Sequence, residues 1–427
     1  MTFFDQIPAL IRLLLVFSIV IIGVRKRLSL GNAFCLGAVV LGVLFGLHPL
    51  QMGRSMVMAV IFPKTLALAV IVSLILVLSN AMETTGQMKR LLVNFKGLIR
   101  HSRLNIVVFP ALIGLLPMPG GAVFSAPMVK ELGSNAGYSP AQLSFINYWF
   151  RHVWEYWWPL YPGILLVAAL AEGISLTSLM LCQSPLTLFV LLVGYFYLVK
   201  QPSIPADPVN RNMIPFFREL LPVAIVIVIG LGLGILFSRL FPGWDIAKEA
   251  GLIIALILSI VLVRQSNCMT MQEISKIMFN PQTLKMIYMI FSILIFKGML
   301  EDSHAVEGIS GELAYLKIPL ILIVAILPFL VGMITGITIA FVGSAFPILI
   351  PLIASLDATA GIYPYLMLAM ACGFSGVLLS PVHLCLILSN QYFDVSMESV
   401  YRHLWKPCVY LIAAGFGYFY LLRFLAV

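Results

Sequence analysis

The feature that most constrains this chain is the recurrence of apolar runs of about 20 residues along nearly its whole length. Such a run crosses a bilayer as one helix, because a helix satisfies its backbone hydrogen bonds internally. Hydrophobic residues make up 61% of the chain and charged residues only 10%. Soluble domains carry about 25% charged residues, so we predict an all-α polytopic membrane protein with no sizeable soluble domain.

Twelve spans are predicted, and two shorter apolar pieces follow breaks rich in glycine and proline. We expect these pieces, 118–133 and 337–356, to be returning limbs of re-entrant hairpins, since irregular backbone at membrane depth must be covered by protein or water. The spans lie near 8–24, 29–47, 60–82, 104–116, 140–170, 177–199, 220–240, 246–263, 284–300, 318–335, 362–390 and 407–425.

The net charge of +9 comes from basic residues in short loops between the apolar runs. That distribution is the positive-inside pattern and does not indicate nucleic-acid binding. It predicts an inner-membrane protein with a periplasmic or extracellular N-terminus and a cytoplasmic linker at 201–218. The loops assigned to the inside contain Arg25, Lys26, Arg27, Lys89, Arg90, Lys96, Arg100, Arg103, Lys200, Arg211, Arg218, Arg264, Lys276, Lys285, Arg402 and Lys406.

The second half of the sequence repeats the first at an offset of 218 residues. Because the first half starts outside and the second inside, we predict inverted repeats, which are characteristic of secondary carriers. The matching residues are Pro63 with Pro281, Thr65 with Thr283, Glu83 with Glu301, Pro110 with Pro328, and Gly114 with Gly332.

The repeat divides the chain into 1–200, the linker 201–218, and 219–427. Each half is predicted to hold a scaffold, an interfacial arm, a core and a last span. In the first half these are 1–82, 86–100, 104–170 and 177–199, and in the second 219–300, 304–316, 318–390 and 407–425.

The two arms are predicted from apolar residues at helical spacing opposite charged ones, the pattern of a helix that lies in the headgroup plane. Ordinary interfacial loops are the simpler interpretation of either arm alone. The apolar faces comprise Met88, Leu91, Leu92, Phe95, Leu98 and Ile99 in the first arm, and Val306, Ile309, Leu313 and Leu316 in the second.

The hairpin tips are the first candidates for a substrate site. Prolines and glycines there end a helix and expose backbone groups, and helix N-termini that meet at the midplane favour an anion. A plain kink in a packed helix is the alternative for each tip. The candidate residues are Pro119, Gly120 and Gly121 in the first tip, and Thr335, Gly336, Thr338 and Ser344 in the second.

The segment 147–163 places ionisable residues and four of the six tryptophans inside a predicted span. Burying Arg or Asp at a helix centre costs about 2.5–3.5 kcal/mol, so such residues mark function by default. Asn147 and Arg151 are candidate substrate ligands, and Glu155, four residues after Arg151, could pair with it. His152 and Glu155 are candidates for proton or ion coupling. An aromatic belt with snorkelling charges is the alternative.

The repeat partner of this segment is 373–384, in which Pro381 matches Pro159. Ser380 is a further candidate substrate ligand there, and His383 a candidate for coupling. A lone histidine on an apolar segment is more often a buried structural residue. The six cysteines are scattered without a CxxC pair, so neither a metal site nor a cofactor is expected.

Several motifs resemble the ion-transporter superfamily, which includes gluconate, citrate and dicarboxylate permeases. They are the Leu116-Pro-Met-Pro-Gly-Gly tip, the Ser125-Ala-Pro-Met limb and the Trp158-Pro159 break. The resemblance covers nearly the whole chain and implies two re-entrant hairpins, two broken helices, elevator-type motion and a homodimer. The Ser-Asn-Thr tips through which the dicarboxylate branch binds sodium are absent, so H⁺ and Na⁺ both remain candidate coupling ions.

These features together predict a secondary transporter for a small organic anion, such as a sugar acid or carboxylate, and not an enzyme. The alternatives are a channel, or a rhomboid-like intramembrane protease with Ser375 of Gly373-Phe-Ser-Gly as nucleophile. A serine nucleophile needs a base within hydrogen-bond reach. No P-loop and no HExxH motif occurs in the sequence.

The predicted orientation can be tested with single cysteines introduced in place of Asn94 and Glu307. We expect the first to be protected from a membrane-impermeant thiol reagent in intact cells and the second to be labelled, because the basic arm lies inside. Labelling with the opposite pattern would reverse the orientation and remove the argument for inverted topology.

Overall fold

The computed structural model describes residues 6–95, 102–118, 120–134, 136–171, 173–199, 212–357 and 361–425. Three predictions fall wholly or partly outside these residues: Pro119, the end of the first arm at 96–100, and the linker at 201–211.

The described residues form twenty α-helices and no strand. In chain order they are α1 Ala9–Arg25, α2 Leu30–Leu44, α3 Pro49–Ile61, α4 Pro63–Thr84, α5 Gln87–Phe95, α6 Ser102–Ile113, α7 Ala122–Ser134, α8 Pro140–Arg151, α9 Pro162–Leu170, α10 Leu176–Val199, α11 Ile214–Leu240, α12 Ala247–Ser266, α13 Met271–Met278, α14 Pro281–Asp302, α15 Ala305–Tyr315, α16 Leu320–Thr335, α17 Thr338–Leu356, α18 Tyr363–Leu378, α19 Leu384–Phe393 and α20 Met397–Leu425.

Six of these helices are long and apolar enough to cross a bilayer, by length and composition: α4, α10, α11, α14, α17 and α20. The prediction of an all-α polytopic membrane protein is therefore confirmed. Helix α17 covers the piece that the sequence suggests is a returning limb, yet its 19 residues suffice for a full crossing. Pro347 and Pro351 lie inside this helix without ending it.

Two short helices were not predicted, because neither is apolar throughout. Helix α3 begins with Pro49 after His48, and α13 begins with a capping box in which the hydroxyl of Thr270 accepts from the backbone N–H of Glu273. Helix α11 starts at Ile214, inside the stretch expected to be linker.

The predicted interruptions coincide with ends of helices. Helix α6 ends at Ile113 and α7 begins at Ala122, whereas α16 ends at Thr335 and α17 begins at Thr338. Gly336 between the latter two has φ 65°, a left-handed conformation that favours glycine. The long predicted spans are also broken, α8 from α9 after Arg151 and α18 from α19 after Leu378.

Helices of the first half exchange partners with those of the second. Helix α4 packs on α12 while α14 packs on α2, and α5 packs on α11 while α15 packs on α1. In the same way α9 lies against α17, and α19 lies against α7. Helices α4 and α14 also contact each other. Inverted repeats would pack in this way, and the repeat stays a prediction.

Two glycines at matching positions allow the same close backbone approach in each half. A Cβ on Gly114 would lie 2.1 Å from the backbone oxygen of Arg151 in α8. A Cβ on Gly332 would lie 2.2 Å from the backbone oxygen of Gly373 in α18. Both distances are far below van der Waals contact, so each hairpin's first limb packs on the broken helix only because glycine is there.

The predicted arms are helices whose apolar faces are buried against the protein. In α5 the buried residues include Met88, Leu91, Leu92 and Phe95, and in α15 they include Val306, Ile309 and Leu313. Leu316 is the C-cap of α15 and is 53% exposed, so it lies at the end of this face and is not packed against the protein.

Each arm is anchored to a helix of the other half. Arg90 of α5 pairs with Glu219 of α11 at 2.9 Å. The Glu312 carboxylate of α15 accepts from the backbone N–H groups of Ala9 and Leu10 at 2.6 and 2.8 Å, where it neutralises the positive end of α1.

Substitution of Gly332 tests the close approach of α16 to α18. We expect Gly332→Ala to destabilise the protein by about 1–3 kcal/mol, because the added methyl group forces two backbones apart. Gly311→Ala is the matched control, since a Cβ there meets nothing within 4 Å in a helical stretch. Thermal unfolding in detergent should show a lower midpoint for the first variant and an unchanged or higher one for the second. Equal midpoints would mean that the helices can separate at no cost.

Candidate functional site

Arg151 is buried at the C-terminal end of α8, with only 3% of its surface exposed. Its Nη1 donates at 3.4 Å to the backbone oxygen of Ile113, the last residue of α6, and its Nη2 donates to that of Met118, within the first hairpin tip. Its Nε donates to Sγ of Cys385 at 3.5 Å. The guanidinium therefore binds the irregular backbone between α6 and α7, and it is not a snorkelling interfacial charge.

The aromatic residues that follow Arg151 donate hydrogen bonds to the same stretch of backbone. Trp154 Nε1 donates to the carbonyl of Ala111 at 2.8 Å, and Trp158 Nε1 donates to that of Leu115 at 3.0 Å. The hydroxyl of Tyr161 donates to the carbonyl of Gly114 at 2.6 Å. The last carbonyls of a helix lack partners within it, and here side chains supply them. These donors point into the protein and bind its backbone, a role that an aromatic belt at the interface does not require.

The four-residue spacing suggested that Glu155 pairs with Arg151, but it does not. Helix α8 ends at Arg151, so the chain between the two residues turns and the helical spacing no longer applies. Instead, Oε1 of Glu155 lies 3.7 Å from Nε2 of His152. Its Oε2 accepts from the hydroxyl of Thr338 at 3.0 Å, which joins the first broken helix to the second hairpin.

His152 and His383, the two predicted coupling histidines, are in direct contact although they are 231 residues apart in sequence. Their Nε2 atoms are separated by 3.1 Å. His152 Nδ1 lies 2.6 Å from the carbonyl oxygen of Tyr148, which can only accept, so this nitrogen carries a hydrogen. Nδ1 of His383 is buried and has no hydrogen-bond partner.

The second hairpin tip packs against the second break. A Cβ on Gly336 would lie 2.9 Å from Oγ of Ser380 and 3.0 Å from the backbone nitrogen of His383. Thr335 and Ser344 lie nearby in sequence, but their hydroxyls donate to carbonyls of their own helices, at Val331 and Ala340.

Asn147 lies in a separate buried polar cluster between α7, α8 and α19. Its Nδ2 donates to the carbonyl of Ala122 at 2.9 Å and to Oγ of Ser389 at 2.8 Å, while its Oδ1 accepts from Ser125 at 2.6 Å. Ser125 and Ser389 were not predicted as site residues. Ser125 belongs to the Ser125-Ala-Pro-Met limb motif, whereas Ser389 is marked in the sequence only as a polar residue in an apolar segment.

Cys385 is the other residue that sequence reasoning missed. Its Sγ and one nitrogen each of His152 and His383 all lie within 4.8 Å of one another, and all three residues are buried. This is a set of donors that could hold a metal ion. No CxxC pair marks this group in the sequence. The local signal is only His383-x-Cys385, and the third residue comes from the other half.

The structure thus collects most of the predicted residues around the two breaks. A Cβ on Gly121 would lie 2.7 Å from the Arg151 guanidinium, and one on Gly120 would lie 3.1 Å from Leu388 of α19. Ser375, the nucleophile of the protease alternative, is buried in α18 and donates to the carbonyl of Ala371 at 2.7 Å. Among the described contacts none brings a histidine to this hydroxyl.

An open cavity of about 390 Å³ separates part of the predicted core from the predicted scaffold. Residues of α4, α9, α11 and α12 line it. Its charged lining residues are Lys64, Arg239, Lys248 and Glu249, and the rest of the lining is mainly apolar.

Comparison with known proteins gives one family. A family model described as protein of unknown function (DUF401) matches residues 9–421. No curated protein matches the chain. Neither finding supports the resemblance to gluconate, citrate and dicarboxylate permeases, which stays an interpretation of the motifs.

Two tyrosines of the same segment test the role of the aromatic donors. We expect Tyr161→Phe to lower stability by about 1–3 kcal/mol, because the carbonyl of Gly114 loses its partner inside the protein. Tyr156→Phe is the matched control: this tyrosine is equally buried, but its hydroxyl has no partner. Thermal unfolding in detergent should distinguish the two variants. Equal loss in both would mean that ring packing, and not the hydrogen bond, stabilises the segment.

Proposed function

We propose that this chain, which belongs to the DUF401 family of proteins of unknown function, is a secondary transporter for a small organic anion. The observation that carries the proposal is the meeting of two interrupted helix pairs around buried ionisable side chains. Arg151, His152, Glu155 and His383 lie there, and each half of the chain contributes. Interrupted helices in both halves are where secondary carriers bind substrate and coupling ion.

An anion is the ligand that the electrostatics of the first hairpin favour. Arg151 has five N–H groups and uses three in the bonds to Ile113, Met118 and Cys385, so each terminal nitrogen retains one. The guanidinium also lies against Gly121, beside the N-terminus of α7, whose dipole adds positive potential. A carboxylate that binds here would accept charge-assisted hydrogen bonds.

Glu155 is placed to couple transport to a proton. Its two oxygens face His152 of the first half and Thr338 of the second. Protonation would remove its attraction for a charged imidazole and weaken its acceptance from Thr338. The contact with Thr338 crosses between the two halves, which an alternating-access transporter moves or holds together. Sodium coupling is the competing possibility, which an imposed ion gradient distinguishes.

The proposal includes elevator-type motion in a homodimer of the inner membrane. Movement of a core against a scaffold requires an interface that is not sealed, and the cavity of about 390 Å³ beside α9 supports this. The partner exchange between halves supports two equivalent end states. Exposed apolar residues of α10, α11 and α20, such as Phe196, Val228 and Phe424, suit contact with lipid or a second copy.

Uptake into liposomes tests the proposal, with labelled gluconate, citrate and succinate as probes. We expect uptake of at least one of them under an imposed proton or sodium gradient. Arg151→Lys should reduce it about tenfold or more, since an ammonium cannot replace a planar bidentate donor. Arg402→Lys, at an exposed ion pair with Glu398, should leave uptake unchanged. Glu155→Gln should remove the pH dependence of uptake while the anion still binds.

Three results would contradict the proposal. The first is uptake that ignores both gradients and does not saturate, which would indicate a channel. The second is wild-type uptake by Arg151→Ala. The third is an absence of uptake for every probe in vesicles whose protein is folded, as judged by its cooperative unfolding.

A further inference from the structure

We propose that His152, His383 and Cys385 bind a transition-metal ion, with Glu155 as the fourth ligand, and that zinc fits this donor set. Two imidazoles, a thiolate and a carboxylate are all ordinary zinc ligands, and the soft sulfur disfavours magnesium and calcium. The proposal concerns a site of the folded protein and does not depend on transport.

The spacing of the donors is close to what zinc requires. Zn–N bonds of about 2.0–2.1 Å at tetrahedral angles place two nitrogens about 3.3 Å apart. The Nε2 atoms of His152 and His383 are 3.1 Å apart, and Cys385 Sγ lies within 4.8 Å of both donor groups. Glu155 Oε1 is 3.7 Å from His152 Nε2, at the edge of the same group. The two imidazoles and the thiol already form one group, and the Glu155 carboxylate must move toward it to become the fourth ligand.

The protonation of His152 suits a ligand. Because its Nδ1 donates to the carbonyl of Tyr148, the lone pair of the neutral ring is on Nε2, which faces the other donors. Histidines that bind metals characteristically fix their second nitrogen in this way, often on a backbone carbonyl. His152 is thus oriented by α8, the helix that it caps.

The contact between the two histidines leaves hydrogen-bonding capacity unused. A single N–H···N bond can form between their Nε2 atoms, whereas Nδ1 of His383 has no partner although the residue is only 8% exposed. An unpaired polar atom in an apolar interior is costly. A shared cation would engage both imidazoles at once, with either nitrogen of His383 as the ligand.

The charges also balance. A zinc ion carries two positive charges, and the Cys385 thiolate and the Glu155 carboxylate supply two negative ones. Arg151 donates to Cys385 Sγ through Nε and would stabilise the sulfur as a thiolate. The metal and its ligands are then neutral, while Arg151 keeps its own positive charge, which the carbonyl oxygens of Ile113 and Met118 stabilise.

The ligands come from both halves of the chain. His152 is the C-cap of α8, while His383 is the N-cap of α19 and Cys385 lies in the first turn of that helix. A bound ion would therefore link the two broken helices at the point where each is interrupted. Its binding should raise the stability of the whole protein.

Cobalt titration of the full chain in detergent tests the site, because Co²⁺ reports thiolate ligation by an intense sulfur-to-metal charge-transfer band. Exposed Cys268 is replaced by serine in every sample. We expect the band to saturate at one equivalent and to disappear when zinc is added in competition. Cys385→Ser should remove the band, and His383→Gln should weaken cobalt binding at least tenfold. Cys408→Ser, a buried cysteine in α20, is the matched control and should change neither.

The absence of a charge-transfer band in folded wild-type protein would overturn the proposal, and this measurement needs no variant. A band that persists in Cys385→Ser would also overturn it. Should a variant fail to fold, zinc-dependent stabilisation of the wild type, reversed by a chelator, must still be seen. Because none of these measurements involves transport, the metal site and the proposed transporter can fail independently.

Discussion

Within an apolar environment every backbone carbonyl that leaves a helix needs a donor, and the first hairpin frees many of them. Helix α6 ends at Ile113, and α7 does not begin until Ala122. One short segment, which starts at the last residue of α8, donates hydrogen bonds to this stretch from Arg151, Trp154, Trp158 and Tyr161. The concentration of tryptophan and charge in that segment is thus a structural requirement as well as a functional signal.

The same constraint explains why the two halves differ. In the second half only two residues separate α16 from α17, and the backbone N–H of Gly336 donates back to Gly332. Few carbonyls are freed, so few donors are needed. The position that matches Trp154 is Gly376, whose missing Cβ would lie 2.1 Å from the carbonyl oxygen of Phe329. Close packing there replaces the hydrogen bonds of the first half.

Much of the fold could be predicted from the composition and from the positions of proline and glycine that end helices. The apolar helices and the interruptions between them were predictable because length and apolarity determine which segments can cross a bilayer, although only six of the helices are long enough to do so alone. The partner of Glu155 could not be predicted. Helical spacing suggested Arg151, but this spacing applies only within a helix, and α8 ends at Arg151. The cluster of His152, His383 and Cys385 could not be predicted either, because it depends on how two distant segments pack.

The contact between His152 and His383 joins positions 231 residues apart, and Glu155 likewise meets Thr338 from the other half. During synthesis Arg151 finds its two carbonyl acceptors within the first half at once. His152 and Glu155 must wait, polar and incompletely paired, until the ribosome has added the second hairpin and the second break. The polar contacts at the centre of the molecule can therefore form only after most of the second half has been synthesised.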